Sequence, residues 1–241
     1  MAASSKLSKG QSLQRALDLG LQPRTVIDVG VATGTNGLYG VFQGVRYVLI
    51  EPLAEAEPFM RQILERYPGS IAINAAAGRA PGEAEFVVHP GLSGSSFLLS
   101  RKVGEVRKVP VVTVDGVVRQ HRLEGPFLLK LDVQGFELEV LEGARETLAR
   151  TDLVITEVSL WADRKKRPMP RLLDLVSWFD QHGFVVYDIA QIVRRKLDHA
   201  ITEIDLVFCP ADSPLRAVTN YKTPEQQASL LEERRRRFGL S

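Results

Sequence analysis

Short apolar runs alternate along the chain with stretches in which apolar residues recur every three or four positions. That alternation predicts an α/β fold, a parallel sheet flanked by helices. The runs fit strands at 24–30 (RTVIDVG), 46–51 (RYVLIE), 70–75 (SIAINA), 127–132 (FLLKLD), 152–158 (DLVITEV), 184–188 (FVVYD) and 203–208 (EIDLVF). Two further β-rich runs, 84–89 and 108–114, fall between the third and fourth strands and read as an inserted hairpin or a sheet extension. Helical period marks 9–19, 35–42, 54–66, 136–149, 170–182 and 223–237. In 136–149 the residues Phe136, Val140, Leu141, Ala144 and Leu148 share one face, which predicts packing on the sheet. The pattern describes one domain over 1–241 with its core at about 20–210. The first helix and the basic last helix are appendages.

Composition narrows the class only a little. The chain has 241 residues, 44% of them hydrophobic and 25% charged, which is ordinary for a globular protein. With 31 basic and 29 acidic residues the net charge is +2, so no global field favours nucleic acid or membrane. The lone cysteine, Cys209, follows an apolar run and reads as a core residue; no cysteine cluster exists to hold zinc. The segment MAASSKLSKGQSLQ lacks the apolar core of a signal peptide, and no run is long enough to span a bilayer, so a cytoplasmic location is the default expectation.

Chemistry enters at the first strand. TVIDVGVATGTNG (25–37) runs from an apolar strand into a glycine-rich turn and a helical pattern, the context of a nucleotide-like ligand at a strand's carboxyl end. Gly30, Gly34 and Gly37 give G-x-x-x-G-x-x-G, not the G-x-G-x-x-G of dinucleotide sites, so an NAD(P)-dependent oxidoreductase is the poorer reading. Glu51 ends the second strand, followed by Pro52, and an acid there can accept both hydroxyls of a ribose. Asp28, inside the first strand, needs a hydrogen bond or a cation. S-adenosylmethionine offers a ribose for Glu51 and an ammonium and sulfonium near Asp28.

VIDVGVATG (26–34), LIEP (49–52), INAAAG (73–78), GSSF (94–97), VTVD (112–115), LLKLDVQGFELEVLEGA (128–144) and LVITEV (153–158) stand in an order that resembles the FkbM family of S-adenosylmethionine-dependent methyltransferases. The match covers roughly residues 24 to 190, and KLDVQGFELEVLEGA is its most specific part. Two departures stand out: Gln134 where the family usually has Glu, and Val31-Ala32-Thr33 where Asn or Ala is common. The resemblance implies a Rossmann-like class I methyltransferase sheet of order 3-2-1-4-5-7-6 with an antiparallel seventh strand. It also implies O-methylation of a sugar or a glycosylated or polyketide-type natural product. Cofactor contacts are then expected from Asp28, Gly30, Thr33, Gly34, Glu51, Pro52 and Asp132, with Asn74 and Ala75 at the adenine and the pair Ser95 and Ser96 in a lid, HPGLSGSSF (89–97).

Methyl transfer needs an oxygen aligned behind the methyl carbon and a base for its proton. Asp132 ends the fourth strand and Glu157 nears the end of the fifth, so the two are candidates for base and orienter, with His89 in reserve. They would also be the ligands if a divalent ion were used, although no His-rich or Asn-Asp set accompanies them and metal use is not favoured. Asp132 as a helix cap is the plainer alternative. Gln134, Glu137 and Trp161 are candidate acceptor contacts, and Lys130 reads as structural, pairing with a carboxylate or reaching the sheet edge. Three basic segments, 162–171, 191–198 and 231–240, read as solvated faces unless they converge on an acidic acceptor. No aromatic platform interleaves them, which argues against RNA. The last helix is a candidate surface for a second subunit. A methyltransferase-like fold that only binds or scaffolds is the alternative of another class.

Overall fold

The computed structural model describes residues 8–92, 94–161 and 169–239. The basic stretch ADRKKR (162–167) and Pro168 lie outside them. The strands are β1 (Thr25–Val29), β2 (Arg46–Ile50), β3 (Ile71–Ile73), β4 (Ala76–Ala77), β5 (Gly82–Val88), β6 (Glu105–Val112), β7 (Phe127–Leu131), β8 (Thr151–Ser159), β9 (Phe184–Arg194) and β10 (Ile201–Pro210). The helices are α1 (Lys9–Asp18), α2 (Asn36–Tyr39), α3 (Glu57–Arg66), α4 (Val114–Gln120), α5 (Glu137–Glu142), α6 (Arg145–Leu148), α7 (Leu172–Gln181) and α8 (Pro224–Arg237).

Seven strands form the main sheet in the order β3-β2-β1-β7-β8-β10-β9. Counting only this sheet's strands, that is 3-2-1-4-5-7-6. β10 runs antiparallel to both β8 and β9, while β1, β2, β3, β7 and β8 are parallel. All five residues of β1 and of β7 are buried because helices cover both faces, so each strand is largely apolar and carries one charged residue, Asp28 in β1 and Lys130 in β7. One face packs Ile27, Leu129, Val154 and Phe208 under α4, α5 and α7. The other packs Val26, Leu128, Ile155 and Val207 under α1 and α3. Cys209 is buried there, as its apolar setting predicts.

Several local expectations need correcting. The third strand stops at Ile73, and Ala76–Ala77 begins a separate sheet of order β4-β6-β5, so the inserted hairpin is neither isolated nor an extension of the main sheet. Its small core of Leu53, Ala76, Phe86 and Val88 takes Phe97 against it. The single helix expected at 136–149 is two, split at Gly143. A Cβ there would sit 2.1 Å from the Gly78 carbonyl oxygen, and this close approach anchors the helix beside β4. Residues 114–120 form α4, capped by Thr113 Oγ1, which accepts from Gly116 N. The sequence pattern predicts no helix at these residues, since its β-rich run ends at 114 and α4 is short and carries three β-branched valines. The helix expected at 35–42 is only the single turn α2. The segment 191–198 is the end of β9 and its hairpin turn. α8 begins in a capping box of Thr223 and Gln226 and buries none of its residues. No helix among the described residues is long and apolar enough to cross a membrane.

Candidate active site

The strand order reverses at β1, with β2 on one side and β7 on the other, and a cavity of about 300 Å³ opens at their carboxyl ends. Gly30 lines it. At φ +79 this residue turns the chain off β1, and a Cβ would lie 2.0 Å from the Asp132 carbonyl oxygen. Glycine is therefore required so that the ends of β1 and β7 can touch. Ala32 follows at φ +46, a left-handed conformation that aims its N–H at Glu51. Glu51 Oε2 accepts from Ala32 N at 2.9 Å and Oε1 from Leu53 N at 3.1 Å. Burial raises the Glu51 pKa and these N–H groups oppose the rise. Each oxygen keeps capacity for a further donor.

At the other end of the cavity stand Asp132, Gln134, Glu157 and Glu203. Gln134 Nε2 donates to Asp132 Oδ1 at 3.2 Å and to Glu157 Oε1 at 2.8 Å. Burial, reinforced by the carboxylates of Asp132, Glu203 and Asp205, pushes Glu157 up to about 9. Asp205 is the register partner of Glu157 across β8–β10, and its own pKa is raised by burial against the pull of Lys9, whose Nζ lies 3.1 Å from Oδ2.

Beneath the loop lies a buried ion pair. Asp28 and Lys130 are register partners on β1 and β7, so their side chains lie side by side. Lys130 Nζ is 2.9 Å from Asp28 Oδ1, donates to the Gly30 carbonyl at 2.7 Å and lies 3.7 Å from Asp132 Oδ2. Burial alone would lower the Lys130 pKa, but the Asp28 and Asp132 carboxylates hold it above the ordinary value. The Tyr39 hydroxyl donates to Asp28 Oδ2, and burial followed by the Asp28 charge raises its pKa and keeps it neutral. Lys130 thus ties the glycine turn, the first strand's acid and the fourth strand's acid into one unit.

Of the expected cofactor residues, Gly30, Glu51, Pro52, Ser95 and Asp132 line the cavity. Asp28 does not: it is fully buried and its partners are Lys130 and Tyr39, not a ligand. Thr33 and Gly34 lie outside the lining, because the turn closes early through Gly34 N to Val31 O at 2.7 Å. Asn74 is exposed, and Ala75 is buried outside the lining; Ala76 and Ala77, at the start of the second sheet, take that wall. Ser96 is wholly buried and structural, donating to the Gln134 carbonyl at 2.9 Å and accepting from Leu98 N at 3.0 Å.

The acceptor and reserve residues change more. His89 is exposed and its Nδ1 accepts from Gly91 N at 3.1 Å, so it closes a turn outside the cavity. Glu137 is buried, with Oε1 accepting from Gly135 N at 3.0 Å, and burial pushes its pKa up to about 7. Trp161 is 59% exposed under the Arg195 guanidinium, 3.8 Å from the ring centroid, and lies outside the lining of this cavity. Among the described residues of the expected lid, Leu92, Gly94, Ser95 and Phe97 line the cavity. The loop is tied down by His89 N to Ser95 Oγ (2.9 Å) and Ser95 Oγ to Leu92 O (2.6 Å).

Sequence reasoning missed Glu203, Phe86 and Phe97 among the lining residues. For Glu203 a signal existed: two acids, Glu203 and Asp205, two apart in an otherwise apolar strand. Only the β8–β10 register shows that Asp205 lies opposite Glu157, with Glu203 opposite Ser159 two residues further along β8. The phenylalanines meet edge to face at 5.0 Å, a contact between the inserted sheet and the loop that no spacing foretells.

The family model described as the methyltransferase FkbM domain matches residues 28–186. No curated protein matches the chain. Among solved structures the chain is similar to a putative RNA methyltransferase from Pyrococcus horikoshii, at 13% identity and TM-score 0.45, covering 84% of this chain and 81% of that one. A second is the 1,6-didemethyltoxoflavin-N1-methyltransferase of Burkholderia thailandensis, at 13% identity and TM-score 0.45, covering 87% and 80%. A third is the magnesium protoporphyrin IX methyltransferase of Synechocystis PCC 6803, at 12% identity and TM-score 0.43, covering 83% and 77%. Likenesses this distant carry nothing about the acceptor.

Proposed function

Since the matched residues 28–186 are more than half of the chain, the protein belongs to the FkbM methyltransferase domain family, and we propose that it transfers the methyl group of S-adenosylmethionine to a hydroxyl of a small molecule, a sugar or a glycosylated or polyketide-type natural product. Family membership displaces the oxidoreductase reading. The observation that carries the proposal is the polarity of one cavity: a hydrogen-bonded Glu51 at one end, the Asp132–Gln134–Glu157 cluster at the other, and Gly30 between. That donor set fits a ribose at one end and a cation at the other.

S-adenosylmethionine supplies a methyl carbon made electrophilic by positive sulfur. Glu51 accepts the ribose hydroxyls with the lone pairs left free by Ala32 and Leu53. The acidic end stabilises positive charge beside Asp132 and Glu157. Asp132, at the end of β7 beside Gly30, would take the proton from the acceptor hydroxyl as the oxygen–carbon bond forms and the carbon–sulfur bond breaks, leaving neutral S-adenosylhomocysteine. Glu157 is the second carboxyl group of the pair. Leu92, Phe97 and Val133 add apolar surface to the lining of the cavity.

Calorimetry with S-adenosylmethionine tests the cofactor assignment, and absence of binding, or binding untouched by Glu51→Ala, overturns it. Transfer from labelled cofactor to a panel of sugars and polyketides tests the reaction. Asp132→Ala is expected to lose at least about a hundredfold in kcat while binding cofactor. Retained binding without any transfer by the wild-type chain would favour the binding-only alternative.

A further inference from the structure

Resting on Asp132 and Glu157 as the groups that handle the acceptor's proton, we propose that Gln134 is a positioning residue whose carboxamide takes the place of a bridging divalent cation. The pair then works without a metal ion, and Gln134→Glu converts the same point into a cation site.

The Nε2 group donates to one oxygen of each acid, 3.2 Å to Asp132 and 2.8 Å to Glu157. An amide nitrogen carries two hydrogens and no charge, so it satisfies two carboxyl groups as a cation would, yet adds no positive field. The side chain is held from its root. Gln134 sits at φ +55 and Gly135 at φ +100, a left-handed pair that reverses the chain directly after β7 and sends the amide back over the strand ends. Ser96, wholly buried, donates to the Gln134 carbonyl, tying this turn to the loop that covers the cavity. Hydrogen bonds therefore connect the turn, the loop and both acids.

The consequence is specific to this side chain. Among the described residues no group of three or more His, Cys, Asp or Glu is arranged to hold a metal ion. A carboxylate of the same length at 134 would join Asp132 and Glu157, with Glu203 lining the same end of the cavity. A third carboxylate in the place of the amide, between the other two, adds both an oxygen ligand and the negative charge that favour a hard divalent cation.

The test uses the full chain with Mn²⁺ as probe, titrated by calorimetry and by the loss of the free-ion electron paramagnetic resonance signal. Gln134→Glu is expected to bind Mn²⁺ about tenfold or more tighter than wild type. Wild-type methyl transfer is expected to be unchanged by EDTA, whereas transfer by Gln134→Glu falls in EDTA and recovers with Mn²⁺. EDTA-sensitive wild type, or a folded Gln134→Glu that binds Mn²⁺ no better than wild type, overturns the proposal. If Gln134→Glu does not fold, Gln134→Asn decides, since it keeps an amide and tolerates the left-handed backbone but cannot span both acids. It is expected to lower kcat, leave the cofactor KM within about twofold and shift the pH profile of kcat; an unchanged kcat and profile overturn the proposal. The Mn²⁺ measurement needs no acceptor, so a failure to find methyl transfer would overturn the proposed reaction while leaving this assignment readable.

Discussion

Glu157 carries a proton that the protein is expected to lose when the cofactor binds. In the cavity, burial and the carboxylates of Asp132, Glu203 and Asp205 push its pKa up to about 9. A sulfonium and an ammonium in the same cavity reverse the local field, and a carboxyl beside a cation ionises at or below its ordinary value of about 4.3. At pH 7 the group therefore passes from almost fully protonated to ionised, and binding releases about one proton. Between the two pKa values the cofactor affinity rises about tenfold per pH unit, flattening near pH 9. Calorimetry at pH 7 in buffers of different ionisation enthalpy reads this directly, because the slope of observed enthalpy against buffer enthalpy is the number of protons released. Glu157→Gln removes this proton and leaves the contribution of the ligand's own α-amino group, which titrates near 8. A wild-type slope near zero, or the same slope in Glu157→Gln, would refute the reasoning. The variant also reports on stability. The folded chain keeps a proton that the unfolded chain has released, so wild type loses stability as pH rises from about 4.3 towards 9, and Gln does not. Thermal melts are expected to show Glu157→Gln gaining on wild type at pH 8 and losing that advantage by pH 5.

Lys130→Met leaves Asp28 buried without its cation, with an expected loss of about 3–5 kcal/mol in urea unfolding at pH 7.5. Adding Asp28→Asn should restore part of it, and no recovery would mean that Lys130 acts mainly through Gly30 and Asp132. Gly30→Ala forces a Cβ against the Asp132 carbonyl at a left-handed φ. It should cost about 3 kcal/mol or more and abolish cofactor binding; a stable variant that still binds cofactor would contradict the close approach of β1 and β7.

Most of the strands, the glycine turn, Glu51 and Asp132 were legible in the chain from local pattern, whereas the order of the seven strands came only from the resemblance to the FkbM family. Buried parallel strands are continuous apolar runs, and the residue ending such a run falls at the carboxyl edge of the sheet. Lys130 was legible as an anomaly and no more. Its meaning depends on register: Asp28 lies 102 positions away in the numbering but directly opposite on the neighbouring strand. The same limit hid Glu203, and it made Glu137 and His89 look available when each is spent on a backbone N–H.

By itself, then, the sequence determined where most of the strands lie and the glycine and acids that follow β1, β2 and β7, since hydrophobic period and turn chemistry act over a few residues. Only the tertiary structure decided which acids share a field. It brought the ends of β1, β7, β8 and β10 together, buried Asp28 with Lys130 and gathered Asp132, Glu157 and Glu203 around the amide of Gln134. Charges act through space, and a pKa near 9 on one glutamate belongs to the cluster, not to any stretch of chain.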